Sequence, residues 1–336
     1  MSDQNPCQPV RIVCAANASF VAQLCVMLVS LLLHHDKKRG IEIRVLSNGI
    51  PDDDRRKIEA ALGANSPDFD LNCLRWIDVE PGKFQNIYVL GHATVDTYLR
   101  LLAPAKLDTD WDRVLYLDSD MVILSGLSEL YDTPFDGKAV AAARDIGIGY
   151  VSAKDGVFNF SELGIPPQTH YFNAGVLLMN LRRWRSENLA DRVFDYMNRH
   201  KDSAYYWDQG GMNAILYDSW IEVSPVWNQT RDINFQDLWT KLGYSTEEWK
   251  QARDHPKIVH FSAFLKPWVQ YKGIRRPGET WYFEYLGKTP YRTGYKGPLA
   301  ERIFGRRLYF HAWNVTRKFY LFFKNKLMGL IKKSKN

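Results

Sequence analysis

Cysteine is scarce in this 336-residue chain: the four that occur (Cys7, Cys14, Cys25, Cys73) all lie in the first quarter. No CxxC or Cys/His spacing joins them, so they read as small buried hydrophobes and not as a disulfide frame or a zinc site. A long apolar run is missing as well. Val26–Leu33 is the most apolar stretch, and extending it back to Phe20 takes in Gln23 and still falls short of the roughly 18 to 20 residues that span a bilayer. A buried helix is expected there. Residues 1–10 carry an acid and two prolines but no basic segment followed by an apolar core, which argues against a secretory signal and predicts a cytosolic protein. In that compartment the glycosylation triplets at Asn17, Asn159, Asn228 and Asn314 have no meaning. Phosphate loops are absent too. Gly287-Lys288-Thr289 has Tyr282 where a P-loop needs its earlier glycine, and Gly147-Ile148-Gly149 has Ser152 where the dinucleotide fingerprint needs its third. Kinase-type and dinucleotide chemistry are therefore unsupported.

Hydrophobic residues at 46% and charged residues at 24% place the chain among folded globular proteins, with enough length for one large domain or two ordinary ones. The formal charge of +6 is unevenly spread. From Arg302 to Asn336 there are ten Lys or Arg and no acid, which leaves 34 basic against 38 acidic residues, or -4, for residues 1–301. A helical wheel of the tail puts Trp313, Phe319, Tyr320, Phe323, Leu327, Leu330 and Ile331 on one face and Arg317, Lys318, Lys324, Asn325 and Lys332 on the other. The tail thus reads as a basic amphipathic helix, either lying on an anionic membrane or docked on the body with its lysines solvated. Three segments result: 1–270 as the main domain, 271–301 as an extension rich in Tyr, Gly, Pro and Lys, and 302–336 as the tail.

Along the main domain, apolar strands alternate with helical periods. Strands are expected at Arg11–Ala16, Ile41–Ser47, Leu71–Val79, Arg113–Leu117, Ala139–Arg144, Ala174–Asn180 and Lys257–Phe261. Helices are expected at Ser19–His34, from Pro51 to about Leu62 behind three aspartates, at Val95–Leu102 and at Glu187–His200. Such alternation predicts an α/β fold with a mostly parallel sheet covered on both faces.

Open parallel sheets bind ligands at the carboxyl ends of their strands, and Asp118 and Asp120 follow a strand directly. Two carboxylates two residues apart on extended backbone can hold a hard divalent cation; a turn in which one of them caps backbone amides is the other reading. His260, after the apolar run Lys257–Val259, can complete a metal site or sit in the core, and Lys266 six residues on can meet a diphosphate. Asp208-Gln209 follows the aromatic run Tyr205–Trp207 and either contacts a sugar or caps a helix starting near Gly210.

Five segments in order carry a resemblance: Thr97-Tyr98-Leu99-Arg100-Leu101, Arg113 through Asp118-Ser119-Asp120, Tyr171-Phe172-Asn173-Ala174-Gly175 through Leu181, Asp208-Gln209, and His260 through Lys266-Pro267-Trp268. Together they resemble glycosyltransferase family 8, over about residues 10–270. The resemblance implies a single GT-A-like, Rossmann-like nucleotide-sugar-binding domain and a retaining transfer of galactose or glucose from a UDP-sugar. The acceptor it implies is a lipid-linked or cell-surface glycan such as lipopolysaccharide, which the basic tail would let the enzyme meet as a peripheral protein on the inner face of the cytoplasmic membrane. It also implies that Asp118, Asp120 and His260 bind Mn2+ or Mg2+, with Ser119 between the acids in the nucleotide-sugar site, and that Lys266 touches the diphosphate. Ala15, Ala16 and Asn17 would line the uridine pocket, Arg100 and Asn173 would contact donor sugar or phosphate, and Asp208 and Gln209 would flank the anomeric centre as the catalytic pair. Three departures stand out: Gly210 where members often carry an acid, Asn17 where an aspartate is common, and Ala263 in place of a glycine. If Gly210 marks lost chemistry, the chain is a non-catalytic sugar-nucleotide binder. A nucleic-acid adaptor acting through the basic tail leaves the acidic body unexplained, so nucleic acid is not an expected partner.

Overall fold

The computed structural model describes residues 8–80, 95–200, 207–262, 266–268 and 278–292. All of them belong to one compact unit, Met1–Arg292. The amphipathic tail at 302–336, the end of the extension and Ala263 lie outside the described residues.

In chain order the strands are β1 (Val10–Asn17), β2 (Ile41–Asn48), β3 (Leu74–Asp78), β4 (Arg113–Asp118), β5 (Met121–Ile123), β6 (Val140–Arg144), β7 (Phe172–Asn180), β8 (Trp220–Glu222) and β9 (Ile258–His260). The α-helices are α1 (Val21–His34), α2 (Asp52–Asn65), α3 (Ala103–Lys106), α4 (Ser128–Tyr131), α5 (Leu181–Ser186), α6 (Leu189–Arg199), α7 (Trp207–Ile215), α8 (Gln236–Lys241), α9 (Thr246–Asp254) and α10 (Glu279–Leu286). Seven strands form one sheet in the order β3-β2-β1-β4-β7-β6-β8. β3, β2, β1 and β4 pair in parallel, β7 runs antiparallel to both β4 and β6, and β6 pairs in parallel with β8. Only β7 is therefore reversed, and the sheet is mostly parallel as its apolar strands require.

Burial explains the local choices. Eleven of the fourteen residues of α1 are buried, Gln23 and Ser30 among them, so the most apolar stretch of the chain is a core helix. The expected helix from Ser19 opens instead with a 3-10 turn, Ala18–Phe20, because the Asn17 side chain accepts from Ser19 N at 2.8 Å. Leu71–Cys73 is likewise a 3-10 turn capped by Asp70, which shortens the expected strand to β3. Val95–Leu102 is helical as expected, but as a 3-10 helix. Cys14 and Cys25 are free and buried, and Cys73 is free and half-buried. Burial pushes the Cys25 thiol up to about 12, which makes it an inert core residue. Among the described residues no helix is long and apolar enough to cross a membrane.

Two features outside the main sheet shape its ligand-binding edge. β5 and β9 form a separate antiparallel ribbon in which Met121 faces His260. Above it, α10 packs on α1 and β5, and Tyr282 makes ring contacts with Phe261, Trp268 and Phe283. Within the described part of the extension, Tyr282, Tyr285 and Leu286 are thus buried, and Tyr282 packs on Phe261, the residue after the strand that carries His260.

Candidate active site

The carboxyl ends of β1, β4 and β6 and the start of β7 meet at one edge. β1–β4 pairing sets Ala15 beside Asp118, and β6–β7 pairing sets Arg144 beside Phe172. Ala15 and Ala16 are buried at that edge and Asn17 ends β1. Beyond β4 the chain turns through Ser119 and Asp120, both buried, into β5, and the ribbon returns His260 to the same place. His260, the last residue of β9, is 5% exposed.

Each of the three side chains divides its atoms between the protein and one common point. Asp118 Oδ1 accepts from Arg100 Nη2 at 2.9 Å and from the Tyr116 hydroxyl at 2.8 Å, while its Oδ2 lies 3.7 Å from His260 Nε2. Asp120 Oδ2 takes the Lys266 ammonium, while its Oδ1 lies 3.3 Å from His260 Nε2. His260 Nδ1 is 2.9 Å from Asn228 Oδ1, which leaves Nε2 to face the carboxylates. The three ligand atoms lie within 4.8 Å of one another. Adjacent ligands of an octahedral ion at about 2.1 Å stand roughly 3.0 Å apart, so small movements seat a divalent ion here. Two carboxylate oxygens and an imidazole nitrogen fit Mn2+ or Mg2+. Burial alone would raise the Asp120 carboxyl, but Lys266 and His260 outweigh it and hold it well below the usual carboxylate range.

Beside this set, Arg100 is buried with its guanidinium on Asp118 Oδ1, on the Ala174 carbonyl and 2.8 Å from Asp208 Oδ2. Asp208 lies in the first turn of α7, which starts at Trp207; the expectation of a cap for a helix near Gly210 does not hold. Its contact with Arg100 lacks hydrogen-bond alignment, and Oδ2 has no hydrogen bond. Burial pushes Asp208 up to about 6, against the pull of Arg100 and with a further push from Asp118. One helical position on, Gln209 is fixed at both ends: Nε2 donates to Asp145 Oδ2 at 3.0 Å and Oε1 accepts from Ala174 N at 2.9 Å.

Residues 11–272 match the family model for glycosyl transferase family 8. The chain belongs to glycosyltransferase family 8. General stress protein A of Bacillus subtilis is 28% identical over 288 residues, 84% of this chain and 95% of that protein. Glycosyltransferase GlyD of Streptococcus pneumoniae is also 28% identical, and the match spans 82% of this chain and 30% of that longer protein. Among solved structures, the galactosyltransferase LgtC, in complex with donor and acceptor sugar analogs, is similar at a TM-score of 0.71 and 25% identity, covering 87% of this chain and 99% of that one. The α/β, GT-A-like fold of this family 8 member is shared with LgtC.

The structure brings nearly all the sequence-derived site residues of this glycosyltransferase to one edge. Lys266 reaches Asp120 and also donates to the Phe261 carbonyl at 2.7 Å. Asn173, at the start of β7, donates through Nδ2 to Asp145 Oδ2 at 2.9 Å and accepts at Oδ1 from Gly175 N and Asn228 Nδ2. Asn17 Oδ1 is engaged by Ser19. Among the described residues an added Cβ at Gly210 would meet only the Tyr171 hydroxyl, at 3.8 Å, so they leave room there for a side chain.

Three contributors escape the sequence reading. Asp118 ends β4 and Asp145 directly follows β6, so the rule that marks one also marks the other. Gly175 is required by contact: a Cβ there would stand 2.8 Å from His260 Nδ1 and 3.0 Å from Asp118 Oδ2, closer still to the ring carbon between the nitrogens. Asn228 shows itself in sequence only as a glycosylation triplet.

Proposed function

We propose that this family 8 glycosyltransferase is a metal-dependent hexosyltransferase that moves galactose or glucose from a UDP-sugar, with retention, to a lipid-linked or cell-surface glycan such as lipopolysaccharide. The observation that carries the reading is the convergence of Asp118 Oδ2, Asp120 Oδ1 and His260 Nε2, each with its remaining polar atoms held by the protein. LgtC, with its donor and acceptor sugar analogs, supports a sugar donor and a sugar acceptor for this chain.

Asp118, Asp120 and His260 would hold Mn2+ or Mg2+, which as a Lewis acid supplies charge neutralisation for a departing diphosphate. Lys266 adds a point charge beside the same phosphates. Ala15, Ala16 and Asn17 at the end of β1, with Ser119 across from them, form the nucleotide side. Arg100 holds Asp118 and Asp208 in place, and the second N–H of the Asn173 amide is available to the donor sugar. Gln209 presents the remaining lone pair of Oε1 towards positive charge growing at the anomeric carbon, an arrangement fixed before the substrate arrives. Its neighbour Asp208 supports that role from beneath. The basic tail at 302–336 keeps the protein peripheral on the cytoplasmic face of the membrane, next to a lipid-linked acceptor. Residues 1–270 carry the chemistry and 271–301 the extension.

UDP release across a panel of UDP-sugars, with Mn2+ and with chelator, tests the reading. One UDP-hexose should release UDP only with metal, and the new anomeric proton should mark an α-glycoside. Asp120→Ala should lose several kcal/mol of transition-state stabilisation and be nearly inactive. Binding of a UDP-sugar without release in any condition would replace the transferase by a non-catalytic binder.

A further inference from the structure

Gln23 is a carboxamide in the most apolar helix of the chain. Eleven of the fourteen residues of α1 are buried, and Gln23, at 6% exposure, is one of them. A buried carboxamide costs stability unless its polar atoms are paired. An indole N–H only donates and a backbone carbonyl only accepts, which fixes how the amide lies. Its NH2 donates to the Phe20 carbonyl at 3.3 Å, and its oxygen accepts from Trp268 Nε1 at 3.2 Å. Gln23 thereby links the turn after β1 to the segment that carries Lys266. Phe20 closes the 3-10 turn that Asn17 caps, and its ring meets the Trp268 ring edge-on with centres 6.2 Å apart. Trp268 packs in turn on Tyr282 at 5.1 Å and edge-on against Phe261 at 6.4 Å.

Lys266 is placed against the same indole. Its ammonium lies 5.8 Å from the centre of the Trp268 ring, within the range of cation–π attraction, and it donates to Asp120 and to the Phe261 carbonyl. Pro267, between the two, is buried; it fixes its own φ and keeps Lys266 out of helical backbone. A link with so little freedom passes any displacement of the indole on to the ammonium. We infer that Gln23 is a positioning residue which, by holding the Trp268 indole, sets the Lys266 ammonium where a diphosphate meets it. Gln23 need not touch the donor for this. The inference rests on the diphosphate role proposed above for Lys266. Seven residues on, along the same face of α1, Ser30 Oγ accepts from Ile123 N of β5 at 3.0 Å, so the ribbon has its own tie to the helix and does not depend on Gln23.

The test is calorimetric titration of the full chain with UDP at saturating Mn2+, with uridine affinity measured on the same samples by ligand-observed NMR. Gln23→Leu puts an apolar side chain among apolar neighbours, and Trp268→Phe keeps a ring while removing the N–H. Each should weaken UDP by roughly 3- to 10-fold, the net worth of one hydrogen bond, and leave uridine unchanged. The double variant should be no weaker than either single one. In a Lys266→Ala background, Gln23→Leu should have no further effect on UDP. Unchanged UDP affinity in Gln23→Leu, additive losses in the double variant, or a loss that persists without Lys266 overturns the inference. An equal loss for uridine also overturns it, by placing Gln23 in the nucleoside turn. Should Gln23→Leu melt without cooperativity, Trp268→Phe alone and combined with Lys266→Ala decides the matter. A wild type that binds no UDP, or binds it no better than Lys266→Ala does, removes the diphosphate role and the inference with it; a wild type that needs Lys266 for UDP yet loses nothing in the other variants overturns the inference alone.

Discussion

Asp208 is the residue in which the site's electrostatics are most open to measurement. Its carboxyl is buried, pushed up to about 6 mainly by that burial, and its Oδ2 meets Arg100 without a hydrogen bond. A carboxyl whose folded value is raised keeps more protons in the native state than in the unfolded one. Stability from this group is therefore present at acid pH and falls as pH rises from about 4 through about 6, by roughly 3 kcal/mol in all. Asp208→Asn mimics the protonated form and lacks this slope. Urea unfolding in chelator should show the variant gaining about 3 kcal/mol on the wild type between pH 4 and pH 7; a constant difference would mean that Arg100 compensates the charge fully. Gly175 makes the complementary point through space alone. With a Cβ placed 2.8 Å from His260 Nδ1, Gly175→Ala must push the ring off the carboxylates at a cost of about 1 to 3 kcal/mol. We expect a cooperative melt with Mn2+ binding lost, and retained wild-type Mn2+ affinity would show that the ring can give way.

Among the elements, the β5–β9 ribbon and its cover α10 decide whether the ligands meet. Tyr282 is 2% exposed and packs on Phe261 and Trp268, which flank His260 and Lys266 in sequence. Tyr282→Ala should cost about 3 to 5 kcal/mol, as for other large buried aromatics. A calorimetric melt reads this, and a loss under 1 kcal/mol would mean that α10 does not secure the ribbon. The same elements show what a sequence discloses. β1, β2, β4, β6 and β7 are nearly all buried, so their apolar runs mark them. β5 and β8 have three residues each, too few for a period, and are held by pairing with distant strands. α9 does carry a legible start, the capping box Ser245 and Glu248, inside a stretch with no clean apolar period. In the site, acids after strands and a histidine after another were legible as chemistry. The partnership of Asn228 with His260 was not, since it depends on residues 32 apart meeting across the fold.

The whole molecule joins a body of net charge -4 to a tail with ten basic residues and no acid among its last 35. Each basic residue near an anionic surface adds on the order of 1 kcal/mol, screened by salt. A chain ending at Glu301 should leave anionic vesicles in a flotation assay at low salt yet still release UDP slowly, because every residue assigned to the donor site precedes Val269. Continued vesicle binding by the shortened chain would return the tail to the fold. The proposed function turns on one histidine and two aspartates, brought from β4, the turn after it and β9 to one point, holding the metal of a sugar transfer. Pulsed electron paramagnetic resonance of Mn2+ bound to the full chain with UDP, prepared with nitrogen-15 histidine, reads this directly. Coupling to a single histidine nitrogen is expected, absent in His260→Ala. Bound Mn2+ with no such coupling, or with the same coupling after that substitution, would contradict it.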